Sequence, residues 1–127
     1  MRAILVAACL LLIAPMATAA SGPTSGWGLG TVEEGETDRR HHNTHGDQPC
    51  LAIYIPKVFT VTLNHAPTDV LGLRAGGASA TSQNGVATVS FVANYCTSFD
   101  IFVDGIDVDG SAAYAMTVTS VFTAPVA

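Results

Sequence analysis

The chain has 127 residues, a formal net charge of −5 and a hydrophobic content of 49%. This length suffices for one modest domain. An acidic chain with few basic residues offers no surface for a phosphate backbone, which excludes nucleic acid as a partner.

The first 19 residues predict a cleaved signal peptide. Arg2 supplies positive charge, an apolar run covers residues 3–14, and Ala17-Thr18-Ala19 offers small side chains at the cleavage position. As a helix, that run reaches about 18 Å of the roughly 30 Å of hydrocarbon in a bilayer, which disfavours the alternative of a retained anchor. Cleavage leaves four basic against ten acidic residues, a formal charge of −6. We expect a secreted protein, extracellular, periplasmic or at the cell surface, with no membrane span after cleavage.

Two of the three cysteines remain after cleavage. Cys9 leaves with the signal peptide, and Cys50 and Cys96 form an even pair in an oxidising compartment. We predict a disulfide between them, with two buried free thiols as the alternative. Closing a loop of this length stabilises a fold by about 4 kcal/mol in the chain-entropy model.

The composition changes at Cys50. Residues 20–49 are rich in Gly, Ser, Thr and charged residues, and they show neither a strand period nor a helix period. Such a segment buries too little apolar surface to offset its chain entropy. The sequence therefore predicts a disordered lead-in over 20–49 and one disulfide-stapled domain over 50–127.

The predicted domain is all-β. Six short strands follow one another in the sequence, and apolar residues alternate with polar ones in most of them, as in Phe59, Val61 and Leu63. The predicted strands cover residues 51–55, 58–63, 69–73, 86–93, 99–103 and 114–118. Turns are predicted at Asn84-Gly85, Asp104-Gly105 and Asp109-Gly110, and a flexible stretch at residues 75–78. The pattern favours a small antiparallel β-sandwich.

A histidine-rich segment, His41–Asp47, is the most suggestive polar cluster. Three imidazoles (His41, His42, His45) and the Asp47 carboxylate could supply Zn²⁺ or Cu²⁺ with ligands. The segment lies in the predicted lead-in, where nothing holds ligands in place, so a solvated linker is the favoured interpretation. Metal binding stays open as the alternative, and we predict neither a metal site nor a cofactor.

A second cluster contains four aspartates. Asp100, Asp104, Asp107 and Asp109 could hold Ca²⁺ between loops. An EF-hand is excluded, because Gly105 occupies the first ligand position and Met116 the position of the bidentate glutamate. Asp-Gly is also common in tight hairpin turns, and we favour that interpretation.

The sequence contains no recognisable set of catalytic residues. His65 is the one histidine inside the predicted domain, and no serine stands in a G-x-S-x-G elbow. The sequence therefore predicts a protein that is not an enzyme.

The segment Thr81-Ser82-Gln83-Asn84-Gly85-Val86-Ala87-Thr88-Val89-Ser90-Phe91 resembles a recurring piece of bacterial Ig-like domains of the invasin and intimin type. Residues 102–105 and 114–118 resemble the end of such sandwiches, so the resemblance covers residues 58–122 at most. It implies an Ig-like fold and a spacer, adhesive or surface-interaction module. This chain departs from the family in its cysteine pair and in the lack of a tandem repeat.

Taken together, these patterns predict a secreted or surface-associated structural module that acts through contacts with a protein partner or a cell-surface component. The alternative is a small extracytoplasmic metal-binding protein that uses His41–Asp47. The sequence leaves the oligomeric state open.

Overall fold

A computed structural model describes residues 26–45 and 55–123, which form eight strands. The strands are β1 (Gly26–Glu33), β2 (Thr37–Asn43), β3 (Pro56–His65), β4 (Val70–Ala75), β5 (Ala78–Thr81), β6 (Val86–Asn94), β7 (Ser98–Asp107) and β8 (Ser111–Phe122). Within these two ranges there is no helix that is long and apolar enough to cross a membrane.

The strands form two four-stranded antiparallel sheets. Sheet 1 has the order β1-β8-β3-β6, and sheet 2 has the order β2-β7-β4-β5. Every connection except the β4–β5 hairpin leads from one sheet to the other. Eight strands connected in this way form the jelly-roll arrangement of a β-sandwich. The prediction of an all-β antiparallel sandwich is confirmed.

The core lies between the two sheets and follows the alternation seen in the sequence. Every second residue of β3 and β8 is buried, including the predicted inward sets Phe59, Val61, Leu63 and Tyr114, Met116, Val118. From sheet 2, β4 and β7 contribute Leu71, Leu73, Ile101 and Val103, all almost fully buried. Burial of these side chains is the main favourable term in the stability of the fold.

Five of the six predicted strands lie in the described residues and are confirmed as β3, β4, β6, β7 and β8. The sixth prediction, residues 51–55, lies outside the described residues except for Ile55, which is exposed and precedes β3. The stretch 75–78, predicted to be flexible, is a two-glycine turn in which Gly76 and Gly77 both have positive φ. It joins β4 to β5, a strand that the sequence did not predict.

One of the predicted turns is wrong. Asn84-Gly85 does form a two-residue turn with positive φ at both positions (54° and 81°), and Asp109-Gly110 separates β7 from β8. Asp104-Gly105, however, lies inside β7. Gly105 is there because the backbone carbonyl of Glu33 lies against it and leaves no room for a Cβ. The glycine permits a close approach between backbones and does not mark a turn.

The disordered lead-in predicted over residues 20–49 is wrong for residues 26–45. They form β1, β2 and a turn, so the sandwich begins well before the predicted boundary at Cys50. The reason is that Val32 is the one aliphatic side chain at the inward positions of these two edge strands. The other inward positions carry no apolar side chain that would reveal a strand in the sequence. They are Gly28 and Gly30 in β1, and Asp38, Arg40 and His42 in β2. The predicted signal peptide and residues 20–25 and 46–49 lie outside the described residues.

Candidate functional site

The histidines of the segment His41–Asp47, for which metal binding was the alternative interpretation, point in different directions in the structure. Successive residues of a strand point to opposite sides of the sheet, so His41 faces outward from β2 while His42 faces inward. His41 Nδ1 lies 3.0 Å from Asp100 Oδ1, whereas the His42 ring lies 5.2 Å from the Phe99 ring. His45 follows in the next turn, with its ring against Tyr95.

Within the described ranges, no three His, Cys, Asp or Glu side chains come together in a way that could hold a metal. Asp47, the last member of the predicted segment, lies outside these ranges. The described histidines therefore give no support to the metal-binding alternative.

The predicted aspartate cluster is divided between two ion-pair networks and a turn. Asp100 pairs with Arg39 at 3.1 Å and with His41. Hydrogen bonding from His41 first, and from Arg39 next, lowers the pKa of Asp100 below its usual value. Asp107 ends β7, and Asp109 lies in the turn that follows.

Asp104 is the centre of the second network. Arg74 donates two hydrogen bonds to it, at 2.8 and 2.9 Å, and the Thr37 hydroxyl donates a third at 2.7 Å. The Arg74 hydrogen bond is the main cause that lowers the pKa of Asp104. These carboxylates already have cationic partners, so the arrangement does not resemble a calcium site.

His65 and Cys96 take structural positions. His65 ends β3, and its Nδ1 lies 2.9 Å from the backbone oxygen of Ala66. Cys96 lies in the turn between β6 and β7 with a φ of 70°, and it is disulfide-bonded. Cys50 lies outside the described residues, so the pairing Cys50–Cys96 stays a prediction.

A polar cleft, which sequence reasoning missed, lies between the edge strands β1 and β2. Gly28 and Gly30 leave space that the Arg40 side chain fills. Arg40 Nη2 donates to the carbonyl of Leu29 at 2.8 Å, and Arg40 Nε donates to Asp38 at 3.3 Å. The cleft has a volume of about 160 Å³, and it is lined by Gly28, Arg40, His41, His42, Ile101, Met116 and Val118.

Arg40, Asp38 and Tyr114, in and beside the cleft, bond to one another or to backbone, whereas the buried Nε2 of His42 has no hydrogen-bond partner among the described residues. The Tyr114 hydroxyl donates a hydrogen bond to Asp38. Desolvation, followed by this hydrogen bond to Asp38, raises the pKa of Tyr114 to about 12. Burial is also the main cause that lowers the pKa of His42, which keeps this imidazole neutral at pH 7. Arg40 and Tyr114 both donate hydrogen bonds to Asp38. We therefore interpret these side chains as a structural hydrogen-bond network that joins β1, β2 and β8 at one edge of the sandwich.

A different kind of surface covers the outer side of sheet 1. The outward positions in the middle of β3, β6 and β8 carry only hydroxyl side chains. We call this surface the hydroxyl face, and it consists of Thr60, Thr62, Thr88, Ser90, Thr117 and Thr119.

Strand register places these hydroxyls in two rows. Thr62 lies between Thr88 and Thr117, and Thr60 lies between Ser90 and Thr119. Neighbouring strands of a sheet are about 4.8 Å apart. Thr60 and Ser90 are within hydrogen-bond distance of each other, at 3.1 Å.

Exposed apolar side chains border the hydroxyl face. One end of it carries Val92 (61% exposed) beside Val58 and Val121, and the other end carries Val86 and, on β1, Leu29 (68% exposed). The outward positions of β3, β6 and β8 contain no Asp, Glu, Lys or Arg. The result is an uncharged surface on an acidic protein.

The hydroxyl face has a sequence signal that can be recognised once the strand register is known. Three strands repeat a hydroxyl–Val–hydroxyl triplet: Thr60-Val61-Thr62, Thr88-Val89-Ser90 and Thr117-Val118-Thr119. The triplets are visible in the sequence, but nothing there indicates that they lie side by side.

No protein-family model, no curated protein and no solved structure matches this chain. The resemblance of residues 58–122 to bacterial Ig-like domains therefore stays a prediction.

Proposed function

We propose that the protein is a secreted or surface-associated structural module that acts, without catalysis, through protein contacts made by the hydroxyl face. The observation that carries this proposal is the in-register array of six Ser and Thr side chains on an uncharged sheet surface.

The chemistry of the hydroxyl face suits contact with another macromolecule. Threonine is β-branched and loses little rotamer freedom when a partner covers it. Each hydroxyl can donate and accept a hydrogen bond, so a partner with either kind of group can be accommodated. Covering the face buries no charge and therefore avoids the large desolvation penalty of an ion.

The border of the face adds apolar area to these hydrogen-bonding groups. Val86, Val92 and Leu29 are large apolar side chains that remain exposed at its two ends. Interfaces commonly combine such apolar contacts with hydrogen bonds. The three described arginines, in contrast, each pair with an aspartate of the chain itself: Arg39 with Asp100, Arg40 with Asp38 and Arg74 with Asp104.

Photo-cross-linking tests this proposal in cells that produce and export the full chain. A photo-reactive benzoylphenylalanine replaces Thr62 in the middle of the hydroxyl face. The matched control places it at Ser79, an exposed β5 residue on the outer side of sheet 2. We expect light-dependent adducts with protein from position 62 and few or none from position 79. Equal adduct formation at both positions, or none at position 62, would overturn the proposal.

A further inference from the structure

The sandwich has four edge strands, and three of them carry features that oppose pairing with another chain. Strand β2 contains Asp38, Arg39 and Arg40, and β5 has four residues only. Strand β1 is interrupted by glycines at every second position from Gly26 to Gly30, and it ends on Glu33. Charges, short length and weak strand formers are the usual protection of sheet edges.

The fourth edge strand, β6, has none of these protections. Its nine residues, VATVSFVAN, include no charged residue, no proline and no glycine. Its register with β3 runs without a bulge from Val86 to Asn94. Strand β3 is its one neighbour among the strands of the described ranges, and at one end the backbone of Val86 also exchanges two hydrogen bonds with Gln83 in the preceding turn. A long, regular, uncharged edge is a template for another strand.

The sequence of β6 is compatible with itself in the antiparallel direction. With Ser90 opposite Ser90 of a second copy, Thr88 meets Val92 on each side of the axis. The pairing ends before Val86, because the backbone of Val86 already bonds to Gln83. Thr88, Ser90 and Val92 are outward-facing residues, so the inward set Ala87, Val89 and Phe91 stays on the core side in both copies. A two-fold interface requires such self-complementarity.

We propose that two copies of this chain pair through antiparallel β6 strands, with Ser90 on the two-fold axis. Sheet 1 then continues as one eight-stranded sheet through the dimer. The hydroxyl row Thr119–Thr60–Ser90 continues into the same row of the second copy. Strand β6 carries no charge, so pairing two β6 strands brings no acidic side chains of the two strands together. This inference deepens the proposed function, on which it rests, by naming one partner of sheet 1.

The first test is the oligomeric state of the full exported chain. Sedimentation equilibrium is measured over a wide concentration range for the wild type, Val92→Lys on β6 and Thr81→Lys on β5. Both substituted side chains are exposed, so each variant should melt at the temperature that the wild type shows at concentrations too low for dimerisation. We expect a concentration-dependent dimer for the wild type and for Thr81→Lys, and a monomer for Val92→Lys. A wild type that is monomeric throughout, or a Val92→Lys variant that still dimerises, overturns the proposal.

A second test checks the register without depending on an edge variant. Ser90→Cys should form a disulfide-linked dimer on mild oxidation, because the two thiols meet across the axis. Thr88→Cys alone should cross-link poorly, whereas an equal mixture of Thr88→Cys and Val92→Cys should cross-link well. Preferential cross-linking of Thr62→Cys, on the hydroxyl face, would mean that the sheets stack face to face, which overturns edge pairing. If the wild type forms no dimer but position 62 still gives light-dependent adducts with protein, the dimer is rejected and the proposed function of the hydroxyl face stands.

Discussion

The outer sides of the two sheets satisfy their polar groups in different ways. Sheet 2 presents a charged face in which Arg39 pairs with Asp100 and Arg74 pairs with Asp104. The Arg74 guanidinium also lies 4.6 Å from the centre of the Phe102 ring. The hydroxyl face of sheet 1 contains no ion pair, and its side chains are short and stiff.

This difference bears on which side can contact another protein. A partner that covers the charged face has to replace or desolvate ion pairs that already exist within the chain, which is costly. A partner that covers the hydroxyl face removes water from neutral groups and can restore each hydrogen bond. A high density of charge on a strand therefore does not by itself indicate a binding site.

The largest expected effect on stability tests the register of β6. That register decides whether Thr88 and Ser90 lie on the outer side of sheet 1. Phe91 faces inward, with its ring 4.8 Å from the Phe99 ring and 5.9 Å from the Phe59 ring. Phe91→Ala should lower the free energy of unfolding by about 3 kcal/mol, through lost burial and the cavity that it leaves. Thr88→Ala, on the hydroxyl face of the same strand, should change it by less than about 1 kcal/mol.

Urea unfolding of the two variants measures this difference. Because a shift of one residue moves every side chain of a strand to the other side of the sheet, a reversed order of the two losses would place the hydroxyls in the core. That outcome would remove the hydroxyl face altogether.

A smaller effect is expected on the charged face, and it should depend on pH. Asp104→Asn weakens the hydrogen bonds and ion pair with Arg74, which should cost up to about 1 kcal/mol at neutral pH because the pair is partly exposed. The pKa of Asp104 is lowered in the folded state from an ordinary value of 3.8. Its contribution is therefore complete above about pH 4 and disappears as the pH falls through the folded-state value.

Thermal melts from pH 7 down to pH 2 test this expectation. The wild type and Asp104→Asn should converge at the acidic end, while Asp109→Asn, in the exposed turn before β8, should match the wild type at every pH. A gap between the wild type and Asp104→Asn that persists at pH 2 would show that the ionised carboxylate is not the cause.

Much of the sandwich could be predicted from the sequence, because a strand that is buried on one side has apolar residues at every second position. Strands β3, β6 and β8 show it clearly, as in Tyr114, Met116 and Val118. Strand β2 does not, because its inward residues Asp38 and Arg40 are polar, and β1 has glycine where a core residue would be expected. At Asp104-Gly105 the local turn chemistry was misleading, because a tertiary contact with Glu33 requires the glycine.

The candidate site was less accessible to prediction, because it arises from long-range register. The triplets around Val61, Val89 and Val118 are separated by about 28 residues each in the sequence. They lie side by side only because β3 pairs with both β6 and β8. Alternation along a strand fixes which side a residue faces, but it does not fix which strands are neighbours.

Amide hydrogen exchange of the wild type at high and low protein concentration tests most directly whether sheet 1, with its free edge β6, is the contact surface. In an edge strand, every second amide points away from the sheet and has no partner strand. We expect the outward-pointing amides of Thr88, Ser90 and Val92 in β6 to exchange slowly at high concentration and faster on dilution, while the corresponding amides of β2 exchange fast throughout. Free-edge amides of β6 that exchange as fast as those of β2 at every concentration would contradict the account.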